Sequence, residues 1–134
     1  LADLAEGTSW RPGEPGERAH ALGWMFWEQN QHEGGIAVRA ALLTYESRKS
    51  LATPQRLADL LAQGKKLLGQ MDSHLSDKDF FVGNGATVAD LALYAYTHSA
   101  ASKGGFDLAP FAAVQAWLAR MAALPGQVTL NDIP

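Results

Sequence analysis

One stretch near the middle of the chain constrains the fold more than any other: Val82-Gly83-Asn84-Gly85-Ala86-Thr87-Val88-Ala89-Asp90-Leu91-Ala92-Leu93-Tyr94-Ala95-Tyr96. It opens with a glycine-rich turn, sets a threonine three residues before an aspartate, and then runs apolar for two turns. Thr87 is placed to cap a helix, its hydroxyl accepting from the backbone N–H of Asp90. The Asp90 carboxylate can reach back to the N–H of Thr87 and faces the positive end of the helix dipole. From Ala89 to Tyr96 no side of the helix is polar, which predicts a position at the centre of a bundle. Other helices must then wrap around it.

The rest of the chain supplies them. A linker by composition covers residues 9–16, with Pro12, Gly13, Pro15 and Gly16. A helix is expected from about Glu17 to His32, stopping at Gly34-Gly35, and a second from Ile36 to Ser47. The glycine pair reads either as that stop or as a kink in one long bent helix. Thr53 and Pro54 fit the cap and first position of another helix, whose stripe is Leu57, Leu61, Gly64, Leu68, Met71 and Leu75 and whose outer side carries Lys65 and Lys66. Lys103-Gly104-Gly105 is expected to end the central helix. Pro110 opens a last one, to Ala123, with Phe111, Val114, Trp117, Leu118 and Met121 inward. No strand pattern or repeat survives this pass, so the expected class is all-α, a helical bundle.

The first helix is unusual. On a wheel at 100° per residue, Leu22, Met25 and Phe26 share a side with Gln29, while His20, Trp24, Trp27 and Gln31 share the other. The first side is expected to be core. The two indoles of the second either cover the core from the side or line an interface or apolar pocket, the places where aromatics concentrate.

Composition removes several functions. The chain has 134 residues, 47% of them hydrophobic and 19% charged, as in an ordinary globular domain. A net charge of −3 leaves no electrostatic footprint for nucleic acid, and no apolar run approaches the ~18 residues of a membrane span. There are no cysteines for disulfides, thiolate metal sites or a thiol nucleophile. His20, His32, His74 and His98 show neither an i, i+4 His pair nor HExxH, so no metal is expected. Gly83-Asn84-Gly85 reads as a turn rather than a phosphate loop, since no lysine follows and Asp90 already occupies the positive helix end.

Taken in order, Thr87-x-x-Asp90 with Leu91-Ala92-Leu93-Tyr94, then Phe106-Asp107-Leu108, then Trp117-Leu118-x-Arg120 and Leu124-Pro125-Gly126, resemble the C-terminal helical domain of glutathione S-transferases across nearly the whole chain. One departure is Ala86, where the family usually has a bulky apolar residue that staples onto the helix. The resemblance implies a division into residues 1–8, the remnant of the end of a thioredoxin-like domain (Leu4-Ala5-Glu6-Gly7-Thr8 is similar to its closing segment), the linker at 9–16, the helical domain at 17–126 and a tail at 127–134. It implies a cytoplasmic homodimer that uses glutathione as co-substrate against small apolar electrophiles, with no metal. The thiol-activating residue would belong to the thioredoxin-like domain, so no catalytic residue is expected in this chain. Trp24, Trp27 and Gln31 approximate pocket-lining positions for the second substrate. Where some classes carry an acidic residue that reaches the partner subunit's glutathione, the nearest positions here are Ala19 and His20. The alternative is a non-catalytic module of the same fold used for protein association.

Overall fold

The computed structural model of the chain describes residues 10–125. The expected domain remnant at 1–8 and tail at 127–134 lie outside the described residues. Among the described residues the fold is all-α: α1 (Pro15–Trp27), a π-helical stretch (Glu28–Ala37), α2 (Val38–Thr44), a 3₁₀ turn (Glu46–Leu51), α3 (Pro54–Leu75), α4 (Val88–Thr97), α5 (Ala100–Gly104) and α6 (Ala112–Ala122). None of these helices is long and apolar enough to cross a membrane.

Pro15 and Pro54 sit in the first turns of α1 and α3, where their missing N–H groups leave no gap in the ladder. Thr53 caps α3 by accepting from Arg56 N at 3.3 Å. The glycine pair does not stop the first helix. The chain remains helical from α1 through the π stretch into α2, and neither Gly34 nor Gly35 has a positive φ. Gly35 is needed for a different reason. A Cβ there would stand 2.7 Å from Leu67 Cδ1, so the missing side chain lets α3 approach the wide turn. Gly64 on α3 works the same way beneath the Phe106 ring.

The core face of α1 is not the expected one, although the two indoles do cover the core from the side. Leu22 and Phe26 are 53% and 66% exposed, whereas Ala21, Glu28 and His32 are buried and Trp24 and Trp27 pack against the core. The inward stripe steps by three and four through Ala21, Trp24, Glu28 and His32. Two of its members are ionisable, so a wheel that sorts by hydrophobicity assigns it outward. The α3 stripe is nearer to expectation, with Gly64, Leu68, Met71 and Leu75 buried together with Leu60 and Leu67.

α4 touches α1, the π stretch and α6, and its capping box is formed. It is central on one side only: Ala89, Asp90, Leu93 and Thr97 are buried, but Leu91 is 40% exposed. α4 also ends earlier than Lys103-Gly104-Gly105. The Thr97 hydroxyl donates to Leu93 O and His98 Nδ1 to Tyr94 O, so side chains take over the last carbonyls and the chain turns before α5. Gly105, at φ 65°, then closes α5 in the left-handed conformation. α6 begins at Ala112, two residues after Pro110, and its N-terminus is capped from α3: Asp72 Oδ1 accepts from Ala113 N at 2.8 Å and Val114 N at 3.1 Å.

The buried Asp90 carboxylate accepts four hydrogen bonds. Oδ1 takes Phe81 N and Trp117 Nε1, each at 3.0 Å; Oδ2 takes Thr87 N at 2.8 Å and the Thr87 hydroxyl at 3.0 Å. Thr87→Ala is expected to cost about 1 kcal/mol. Asp90→Ala should cost about 3–5 kcal/mol, because four buried donors lose their acceptor. Asp90→Asn should be nearly as damaging, since its NH₂ must face two donors. Gly64→Ala should lose about 1–3 kcal/mol to overpacking, while Gly34→Ala, with open space around it, should be neutral or slightly stabilising. Urea unfolding of the set checks the order.

Candidate functional site

Two concave surfaces lie along the long helix. The first is an open groove of about 770 Å³ between α1, the end of α3 and the turn before α4. Trp24, Trp27, Phe81 and Val82 form its apolar part, with His20 and Lys78 at the rim. Its rings are fixed by one another. Trp24 meets Trp27 edge-on at 5.3 Å and Phe81 at 4.8 Å, and Phe81 meets Trp117 edge-on at 5.2 Å. His74 stacks on Phe81 and donates from Nε2 to Phe81 O at 2.9 Å. This aromatic ladder thus runs from the groove to Trp117, whose indole N–H ends on Asp90. Of the sequence-derived candidates, His20, Trp24 and Trp27 come together here; Gln31 is exposed and stands apart from the groove.

The second surface, a more enclosed cleft of about 330 Å³, lies between α2 and the α4–α5 turn. Ala37, Ala41 and Thr44 make one side, and Tyr96, Ser99 and Lys103 the other. At its end the Tyr96 hydroxyl donates to Glu33 Oε1 at 3.5 Å. Burial, then the negative charge of Glu33, hold the phenol above its ordinary pKa, so it remains a protonated donor at neutral pH. Small side chains on one wall, with a phenol and the charged Glu33, Arg48 and Lys103 around it, suit an apolar body that carries polar atoms at its edge.

Sequence reasoning passed over Tyr96 as a core residue and weighed His32 as a metal ligand. His32 is in fact fully buried, with Nε2 2.9 Å from Thr97 Oγ1 and Nδ1 3.9 Å from Glu28 Oε1. Desolvation lowers the His32 pKa to about 4 and raises that of Glu28. The signal for this pair was present: Glu28 and His32 are four apart on the stripe that begins at Ala21 and Trp24.

The described residues thus form an all-helical bundle around a capping-box helix, flanked by an apolar groove and a mixed cleft. Residues 36–125 match the family described as glutathione S-transferase, C-terminal domain. The chain belongs to the glutathione S-transferase family and corresponds to its C-terminal domain. Among solved structures it is similar to a glutathione S-transferase from Xanthobacter autotrophicus, with 44% identity and a TM-score of 0.85 over 96% of this chain and 62% of that one. A possible glutathione S-transferase from Rhodopseudomonas palustris is 39% identical, with a TM-score of 0.89 over 98% of this chain and 59% of that one. A sphingomonad glutathione S-transferase complexed with glutathione shares the fold at 22% identity, with a TM-score of 0.74 over 92% of this chain and 58% of that one. The chain spans about three-fifths of the length of the structures it matches.

The core face of α1 gives a direct test. Trp24→Ala should cost about 3 kcal/mol or more, because it removes a ring packed against both Phe81 and His74. Leu22→Ala and Phe26→Ala should each stay within about 0.5 kcal/mol when measured on dilute protein. Thermal unfolding of the three variants decides which face is the core.

Proposed function

We propose that this chain is the helical half of a cytoplasmic enzyme that joins glutathione to small apolar electrophiles. The reaction is attack of the glutathione thiolate on an electrophilic carbon: a C–S bond forms, and the displaced electron pair leaves with a group or moves onto an adjacent atom. The nucleophile and its activating residue belong in this reading to a thioredoxin-like domain, with residues 1–8 closing that domain and 9–16 linking it, the last two, Pro15 and Gly16, already in α1. The observation that carries the reading is family membership joined to the cleft between α2 and α4–α5. There Ala37 and Ala41 leave room for an apolar substrate, and protonated Tyr96, on exchanging its long bond to Glu33, can donate to an oxygen or leaving group as charge develops. The glutathione held by the sphingomonad relative supports the co-substrate.

The expected substrate role of Trp24, Trp27 and Gln31 is recast on this geometry. The indoles are half-buried in an open groove, and Leu22 and Phe26 of the same helix are exposed outside it, apolar area that suits association with a second protein surface. We assign His20, Trp24 and Trp27 with Leu22 and Phe26 to dimer contact, and the substrate wall to the cleft. Gln31 takes no part in either.

With a chloronitrobenzene-type electrophile the chain alone should show no turnover. In the enzyme containing the thioredoxin-like domain, Ala41→Trp should raise KM for the electrophile by roughly tenfold or more, about 1.4 kcal/mol, and leave KM for glutathione nearly unchanged. Turnover by the chain alone, or an unaltered electrophile KM in Ala41→Trp, would contradict the reading; absence of any turnover in the protein that contains the thioredoxin-like domain would favour a non-catalytic module. Sedimentation addresses association separately. Leu22→Ser/Phe26→Ser should shift the protein toward monomer, since covering each side chain contributes roughly 1–2 kcal/mol; an unchanged distribution would remove the dimer assignment.

A further inference from the structure

We propose that Glu28 and His32 form a buried pair that holds one proton between Glu28 Oε1 and His32 Nδ1 at neutral pH and thereby keeps the π-helical turn closed against α4. The argument starts from Thr97. Its hydroxyl has one proton, and that proton goes to Leu93 O at 2.7 Å. The hydroxyl must therefore accept from His32, at 2.9 Å, which fixes the proton of the neutral ring on Nε2. Nδ1 is left as a bare lone pair. It points toward Glu28 Oε1 at 3.9 Å, and both atoms are buried without a hydrogen-bond partner. The other carboxylate oxygen is already used, accepting from Gln29 Nε2 at 2.7 Å. An ionised Glu28 would thus set two acceptors against each other out of reach of water, the costly arrangement of unmatched buried polar atoms. One proton taken from solvent onto Oε1 converts the opposition into an O–H···N hydrogen bond once the side chains close the gap.

The surroundings favour that state. On the same stretch Glu33 adds negative charge, which opposes ionisation of Glu28. From α1 the Trp27 ring packs 5.7 Å from His32. α3 presents Leu67 and Gln63 at Gly35. From α4 come Thr97 and the Tyr96 phenol, the latter bonded to Glu33. Lys103 of α5 stands in the cleft that Glu33 lines, and Arg39 of α2 is engaged with Gly104 O and Leu57 O. The burial that raises Glu28 and lowers His32 to about 4 selects a protonated carboxyl beside a neutral ring over an ion pair. His32–Thr97 and Glu33–Tyr96 are neighbouring bridges between the same two elements. Loss of the proton is therefore transmitted to the wall of the cleft.

The linkage has a definite sign. A raised Glu28 pKa means that the folded chain keeps a proton the unfolded chain has lost, so this stabilisation is present at lower pH and disappears as pH rises through the folded pKa. The lowered His32 pKa acts on the other limb, where stability is lost as pH falls from the ordinary histidine range near 6.5 toward about 4. The test combines two readouts on the 134-residue chain. Long-range ¹H–¹⁵N spectra near pH 7 should show His32 as the neutral Nε2–H tautomer; an imidazolium or an Nδ1–H tautomer overturns the proposal. As pH rises above the ordinary histidine range the Tm of the parent should fall, while that of Glu28→Gln, whose amide N–H supplies the same donor without titrating, should stay level. Parallel curves overturn it. Should Glu28→Gln not fold, the tautomer and the slope of the parent curve decide the matter, and a flat parent curve counts against the pair.

Discussion

The bundle depends on a carboxylate with no cation beside it among its hydrogen-bond partners. Asp90 is fully buried, and withdrawing such a group from water costs several kcal/mol unless its acceptor sites are filled. Here they are filled by four donors from three parts of the chain: Thr87 twice, Phe81 from the preceding turn and Trp117 from α6. Each bond fixes something different. Thr87 starts α4, Phe81 N sets how the chain enters it, and the Trp117 indole sets how α6 packs across it. Val88 N donates to Trp10 O, so the segment ahead of α1 also closes onto the start of α4. The arrangement resists piecemeal loss, because removing any one donor leaves a buried acceptor site unmatched.

A second constraint is the closeness of helix approach. Gly35 admits Leu67, Gly64 lies under Phe106, and a Cβ on Gly104 would be 2.8 Å from the same ring. Arg39 holds this corner from the other side, donating to Gly104 O while lying over Phe106 at 5.8 Å. A single phenylalanine thus sits between two glycine-lined surfaces, from α3 and from α5. The volume of its ring, rather than any hydrogen bond, sets the distance between those helices.

These features differ in how far they could be read from sequence. The capping box was legible because its chemistry is local: Thr87 and Asp90 need only their spacing to be recognised. Thr53-Pro54 was legible for the same reason. The partner that completes Asp90, Trp117, is 27 positions away and no spacing rule points to it. The core face of α1 was misread because hydrophobicity is a proxy for burial, and the proxy fails where a buried stripe carries Glu28 and His32 while Leu22 and Phe26 face outward. The candidate site was partly legible. Trp24 and Trp27 do share a groove, but one wall of the cleft beneath Tyr96 includes Ala37, Ala40 and Ala41, whose meaning is the space they leave.

The wide turn explains why the two surfaces could not be placed relative to each other in advance. An α-helix advances 100° per residue, and a wheel drawn at that angle carries a face correctly only while the helix stays α. A π-helix bonds i to i+5 and advances less per residue, so every residue of the Glu28–Ala37 stretch changes the azimuth of α2 relative to α1. Trp24 and Trp27 lie before that stretch, and Ala41 lies after it. Their mutual orientation is therefore a property of the π stretch itself, held by the Gly35–Leu67 approach and the His32–Thr97 bond. Were the stretch to relax to α geometry, Ala41 would rotate away from Tyr96 and the cleft would lose its small-residue wall, even with every side chain of the groove unchanged.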